Sequence, residues 1–186
     1  LDLNPLTHLP GTRSSVLRIE RTIHSKGLFA VCCVDLSDLS AFNKAYGDAR
    51  GDKIIIKLAE IIQEVIKKYG GGNDFVGHLG GDDFIIVTHS HLAVPISEAI
   101  IQNFDAMIPN LYDSADRQHG YLVQKDDEAS LEQYPIMSLS IVIIPNENIP
   151  LHEISEVGRI AAPDLTAARL TQWLDETLNA LGKEVA

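Results

Sequence analysis

A Gly-Gly-Asp-Asp quartet, Gly80 to Asp83, most constrains this chain, because it sits between two short apolar runs. These are DFVGHL (Asp74 to Leu79) and DFIIVT (Asp83 to Thr88). Apolar runs of strand length joined by a glycine-rich turn read as a β-hairpin. Glycines at such a turn let a ligand approach the backbone closely, and the turn amides can face phosphate oxygens.

A hairpin needs partners, and the sequence offers two further strands. LFAVCCVDL (Leu28 to Leu36) is a continuous apolar run that carries a carboxylate near its end, and IMSLSIVII (Ile136 to Ile144) is a second. Such runs predict strands covered on both faces. Helical periodicity predicts the cover. A first helix runs from Ser14 or Ser15 to about Lys26, stopped by Gly27, and a short helix spans Asp38 to Tyr46. Gly51 to Tyr69 is strongly amphipathic, and Pro95 to Ile108 is helical. Leu151 to Ala162 and Asp164 to Leu181 are helices separated by Pro163. Leu1 to Thr12 is a lead-in, and Pro109 to Tyr134 an irregular polar excursion, long enough to be functional or a hairpin. The expectation is one α+β domain over 1–186, with a mixed, mainly antiparallel sheet flanked by helices.

Charge narrows the partners. The formal net charge is −11, which argues against a nucleic-acid polymer, since phosphate backbones are held by clustered Lys and Arg. A single nucleotide stays open, because a cation can neutralise it locally. No apolar run approaches the roughly 18 residues a membrane span needs, so no membrane contact is expected. The first residues lack a signal peptide's pattern, and a start at Leu1 suggests a piece of a longer protein. Adjacent Cys32 and Cys33 on one strand should point to opposite faces and cannot easily bridge. They read as small core residues in a reducing cytoplasm. The seven histidines show no metal-binding pattern and read as surface or packing residues.

Three acids carry the chemistry. Asp35 ends a buried strand, where a carboxylate is costly unless paired or bound to a cation. Asp82 and Asp83 occupy the hairpin turn. If the hairpin lies beside the first strand, these oxygens meet, and an open cluster of that kind suits Mg2+ or Mn2+ with nucleotide phosphates. On the tetrapeptide alone, a plain tight turn is the favoured reading, and the surrounding spacing changes that.

Several segments in order resemble the GGDEF family of diguanylate cyclases. The motif here is GGDDF, Gly80 to Phe84. Upstream, VDLSDLSAFNKAYGDARGD (Val34 to Asp52) is similar to the family's D-x-D-x-F-K-x-x-N-D-x-x-G-H-x-x-G-D segment, with Asp35, Asn43, Gly47, Gly51 and Asp52 in register. NPLTHLPGTR (Asn4 to Arg13) resembles its lead-in, MSLSIVII (Met137 to Ile144) its later strand, and DRQHGYL (Asp116 to Leu122) an insertion found in one branch. The resemblance implies a nucleotide-cyclase or polymerase-palm fold, ferredoxin-like, and the condensation of two GTP into cyclic di-GMP by a homodimer. It further implies a regulatory domain elsewhere in the full chain. By position, Asp35, Asp82, Asp83 and the backbone carbonyl of Leu36 would hold the metal, with Asp82 and Asp83 catalytic. Gly80 and Gly81 would admit the α-phosphate, and Asn43 and Asp52 would read guanine. Helix or turn capping is the other reading of that last pair. Arg169 stands where the family has a phosphate-clamping Lys, or is a solvated surface charge.

The departures are specific. Asp83 replaces the usual Glu, Leu39-Ser40 replaces Phe-Lys, Ser37 replaces the second Asp, and Asp48 replaces a His. Val142 replaces a Gly. The product-inhibition pattern R-x-x-D reads Gly71-Gly72-Asn73-Asp74. Asp74 is present and the Arg is not, which predicts poor feedback binding of cyclic di-GMP. Three functions follow: a diguanylate cyclase, weak or conditional; a degenerate GTP-binding module that controls an attached domain; and a purely structural dimerisation domain.

Overall fold

The computed structural model describes residues 2–125 and 130–147; the helices expected over Leu151–Ala162 and Asp164–Leu181, and Arg169, lie outside the described residues. Helix α1 (Thr12–Ile23) precedes β1 (Ala30–Leu36), α2 (Leu39–Tyr46) and α3 (Asp48–Tyr69). The hairpin β2 (Phe75–Gly80) and β3 (Asp83–Thr88) leads to α4 (Ser90–Met107). A 3-10 turn (Ile108–Leu111), α5 (Ser114–His119) and a second hairpin, β4 (Tyr121–Lys125) and β5 (Leu131–Pro135), precede β6 (Leu139–Pro145).

The main sheet has the order β2-β3-β1-β6, and every neighbouring pair is antiparallel. This is the strand arrangement of two interlocked βαβ units, as the ferredoxin-like expectation required. It puts the apolar β1 in the interior of the sheet, with β3 on one side and β6 on the other. Alternation along β1 divides its side chains. Ala30, Cys32, Val34 and Leu36 join a core with Ile54, Leu58 and Ile62 of α3 and Ile96, Ile100 and Phe104 of α4. On the other face α1 lies against β2, where Ser15 closes on Gly77 beside Ile85. Both cysteines are buried and unbridged. Burial pushes the Cys32 thiol up to about 12, partly opposed by the Ser97 hydroxyl. The Cys33 thiol is raised further by burial, with Cys32 and Asp83 adding to it.

Several boundaries differ from the expectation, four of them instructively. α4 starts at Ser90, and Pro95 lies inside it. The Pro forfeits one backbone hydrogen bond, but Ala93, Ile96, Ser97, Ile100 and Phe104 bury one continuous face across it. α1 stops at Ile23, four positions before Gly27, where the His24 N–H turns back to Glu20 O and the Ser25 N–H to Thr22 O. β6 begins at Leu139. Ile136 and Met137 are instead held by Gly120 O and the Tyr112 hydroxyl. The excursion is not irregular: it folds into the 3-10 turn, α5 and the β4–β5 hairpin, and buries Tyr112 and Leu122 in the main core. Among the described residues, no helix is long and apolar enough to cross a membrane.

Candidate active site

The register of the sheet builds the acidic cluster. Val34 of β1 pairs with Phe84 of β3, so the next position on each strand, Asp35 and Asp83, falls on one face at the same end. Asp82 precedes β3 in the turn. Ligand atoms of Asp35, Asp82 and Asp83 all lie within 4.8 Å of one another, the only set of three potential metal ligands gathered so closely among the described residues. Asp82 is only 9% exposed, and Asp35 and Asp83 are half-buried. When ionised, two carboxylates at this separation repel by about 3 kcal/mol at an effective dielectric of ~20. An all-oxygen, all-anionic donor set is the kind a hard divalent cation takes, so the residues fit Mg2+ or Mn2+. Leu36, next to Asp35, is buried and paired with Leu139.

The turn itself depends on its glycines. Gly80 has φ +139° and Gly81 φ +58°, and a Cβ on either would meet nothing within 4 Å. The outer side of the turn is therefore open to an incoming group. On the inner side, His78 pins the turn. It is 1% exposed and stacks on Phe84 with ring centroids 4.2 Å apart. Gly81 O lies 3.0 Å from its Nε2 and can only accept, so Nε2 carries the proton. Nδ1 then accepts from the Thr7 hydroxyl at 2.9 Å. Burial lowers the His78 pKa from the ordinary 6.5, in keeping with this neutral form. The lead-in is tied to the same place: His78 N–H bonds Pro10 O, and the Thr12 hydroxyl bonds Leu79 O. Sequence reasoning treated His78 only as one of seven surface or packing histidines. Its two-residue spacing from inward Val76 is the signal that could have singled it out.

Asn43 and Asp52 flank the α2–α3 junction. Asp52 is exposed near the start of α3 and Asn43 is half-buried. The Asn43 Oδ1 is buried with no hydrogen-bond partner. It presses on Gly51, where a Cβ would come within 1.8 Å of it, so any side chain at 51 would force that amide to move. Helix capping does not account for Asn43: α3 has no side-chain cap.

Asp74 and Gly71 lie elsewhere, in a cleft of about 750 Å³ at the opposite ends of β1 and β3, also lined by Arg18, Arg21, His89 and His91. The Asp74 carboxylate accepts from Gly72 N–H at 3.1 Å and from the Thr88 hydroxyl at 2.7 Å. It closes the turn between α3 and β2.

With this geometry in hand, comparison decides the family. A family model described as diguanylate cyclase, GGDEF domain, matches residues 2–134. The chain belongs to the GGDEF family. A diguanylate cyclase of Vibrio cholerae is 34% identical over 74 residues, which cover 38% of this chain and 22% of that protein. The bifunctional diguanylate cyclase/cyclic di-GMP phosphodiesterase MucR of Pseudomonas aeruginosa is 35% identical over 69 residues, 37% of this chain and 10% of its own length. The chain thus spans only a minor part of these relatives. Among solved structures, the GGDEF domain of TpbB (YfiN) from Pseudomonas aeruginosa superposes with a TM-score of 0.54 at 21% identity, covering 76% of this chain and 73% of that one. The GGDEF domain of DgcB from Caulobacter crescentus, in complex with c-di-GMP, superposes with a TM-score of 0.52 at 15% identity, covering 76% and 75%. These likenesses establish the fold. In this GGDEF domain, the Ser37 that stands in for the second acid of the upstream pattern is used structurally. Its Oγ accepts from Ser138 N–H at 2.9 Å.

Proposed function

We propose that this domain is a diguanylate cyclase, which condenses two GTP into cyclic di-GMP and two pyrophosphates with Mg2+ or Mn2+. The convergence of Asp35, Asp82 and Asp83 carries the reading. Three acids held this close suit a divalent cation, which both turnover and GTP binding would use. A divalent cation held there would offset the triphosphate charge and make the attacking 3′-hydroxyl more acidic.

The chain's own residues supply the rest. The open backbone at Gly80 and Gly81 admits the α-phosphate without a side chain in the way. Asn43 offers a buried acceptor with no internal partner, and an unmade hydrogen bond of that kind costs about 1–3 kcal/mol. A guanine N–H would satisfy it, and the Asp52 carboxylate can accept others. His78 holds Gly81 and so fixes the turn. Each domain presents one GTP, so two copies must face each other for both bonds to form.

The deciding experiment incubates the purified protein with GTP and Mg2+ or Mn2+ and follows cyclic di-GMP by chromatography. Product that disappears in Asp82→Ala supports the assignment. No product at any protein concentration, with GTP and metal still raising the melting temperature, would leave a nucleotide sensor instead.

A further inference from the structure

The 108–125 segment was opaque in sequence, yet its contacts converge on one place, helix α2 and the first turn of α3. Arg50 is the centre of this grip. Its Nη1 donates to Asp113 Oδ1 at 3.0 Å, and its Nη2 to Leu111 O at 2.6 Å. Its guanidinium also lies 3.9 Å from the Tyr46 ring centroid. Tyr46 closes the loop from the other side. Its hydroxyl donates to Asp116 and accepts from Asp113 N–H. Burial, followed by the Asp116 contact, pushes this phenol up to about 12, so it remains a donor. The Tyr112 ring packs edge-on against Phe42 and Tyr46. The β4 strand adds Gln124, which donates to Ala41 O, and the Lys125 carbonyl, which accepts from Lys44.

These contacts bracket Asn43 and Gly51 without touching either amide or carboxylate of the expected base readers. We propose that the 108–125 segment is a brace that sets the α2–α3 junction for nucleobase recognition, with Arg50 its principal positioning residue. The inference rests on the GTP reading above for its ligand, and on the contacts alone for its mechanics. The energetics suit positioning better than stability. The Arg50–Asp113 pair is 37% and 63% exposed, and pairs of that kind contribute about 0–1 kcal/mol. A guanidinium that joins a carboxylate, a carbonyl and an aromatic face, by contrast, fixes direction in a way lysine cannot.

The test compares wild type with Arg50→Ala and Arg50→Lys in the full chain. Kd values for GTP and for ITP, which lacks the exocyclic 2-amino group, are measured with Mn2+ by calorimetry. Hydrogen exchange is followed across residues 41–52 without nucleotide. Both variants should weaken GTP about tenfold and ITP less, so that discrimination falls. A tenfold change is about the scale of weakening one hydrogen bond to the base. Amide protection should drop across 43–51 while the β1 and β3 strands keep theirs. Equal losses for both nucleotides, or full rescue by Lys, would overturn the positioning role. Unchanged protection at 43–51 would overturn the brace itself. If wild type binds no GTP, the functional reading fails, and the exchange result still decides the brace.

Discussion

The two ends of strands β1 and β3 make opposite use of the same residue types. Each end has glycines and aspartates at a turn. At one, Asp74 is consumed by the chain itself, bonding Gly72 N–H and the Thr88 hydroxyl. At the other, Asp35, Asp82 and Asp83 crowd to within 4.8 Å of one another. An acid used to close a turn is structural, whereas three acids gathered at one turn form the donor set that the proposed metal would use. At the Asp74 end the carboxylate is already bonded, and of the two guanidiniums that line its cleft, Arg18 is engaged with Asn73; poor feedback binding there stands as an expectation.

The sharpest way to break this contrast is to neutralise one acid at each end. Asp82→Asn should lower cyclic di-GMP formation by about a hundredfold or more, the scale of losing one electrostatic stabiliser. Asp74→Asn should change it less than about threefold by the same reasoning. Comparable losses would mean that the two ends are not functionally distinct. Next, Asp83→Glu extends the carboxylate by about one C–C bond, ~1.5 Å. A rise in rate of roughly tenfold or more is expected if reach limits alignment; a fall would place Asp83 at its proper length for this site.

Stability should invert the order. Asp74→Ala should cost about 1–2 kcal/mol in urea titration, since it removes hydrogen bonds made by a charged acceptor. Asp82→Ala in metal-free buffer should cost less, because it also relieves repulsion. The smallest effect is pH-dependent. Burial lowers the His78 pKa below 6.5, so under acid the unfolded chain takes up a proton that the folded one resists. Stability is therefore present above pH 6.5 and falls as pH drops through the folded value. His78→Gln should flatten that part of the profile; an unaltered slope would show that His78 is not its source.

Sequence pattern made the main sheet legible because its strands are short, apolar and separated by unmistakable turns. The acids were legible for a related reason: Asp35 is a carboxylate ending an apolar run, and Asp82 and Asp83 follow two glycines. What could not be read was long-range. Nothing local in Arg50 announces Leu111 or Asp113 as its partners. Nor does local propensity show that Ile136 and Met137 would bond to Gly120 and Tyr112 rather than extend β6. Pro95 misled because proline favours helix starts, while burial of five residues around it was a tertiary effect.

The adjacent thiols in β1 have a practical consequence. Alkylating reagents attack thiolates, and here burial holds both sulfurs protonated on the two covered faces of the sheet. Labelling of Cys32 and Cys33 must therefore wait for the central strand to separate from its neighbours. The rate at which the unmodified protein consumes iodoacetamide is then a built-in clock for global opening, against which every substitution above can be timed without attaching a probe.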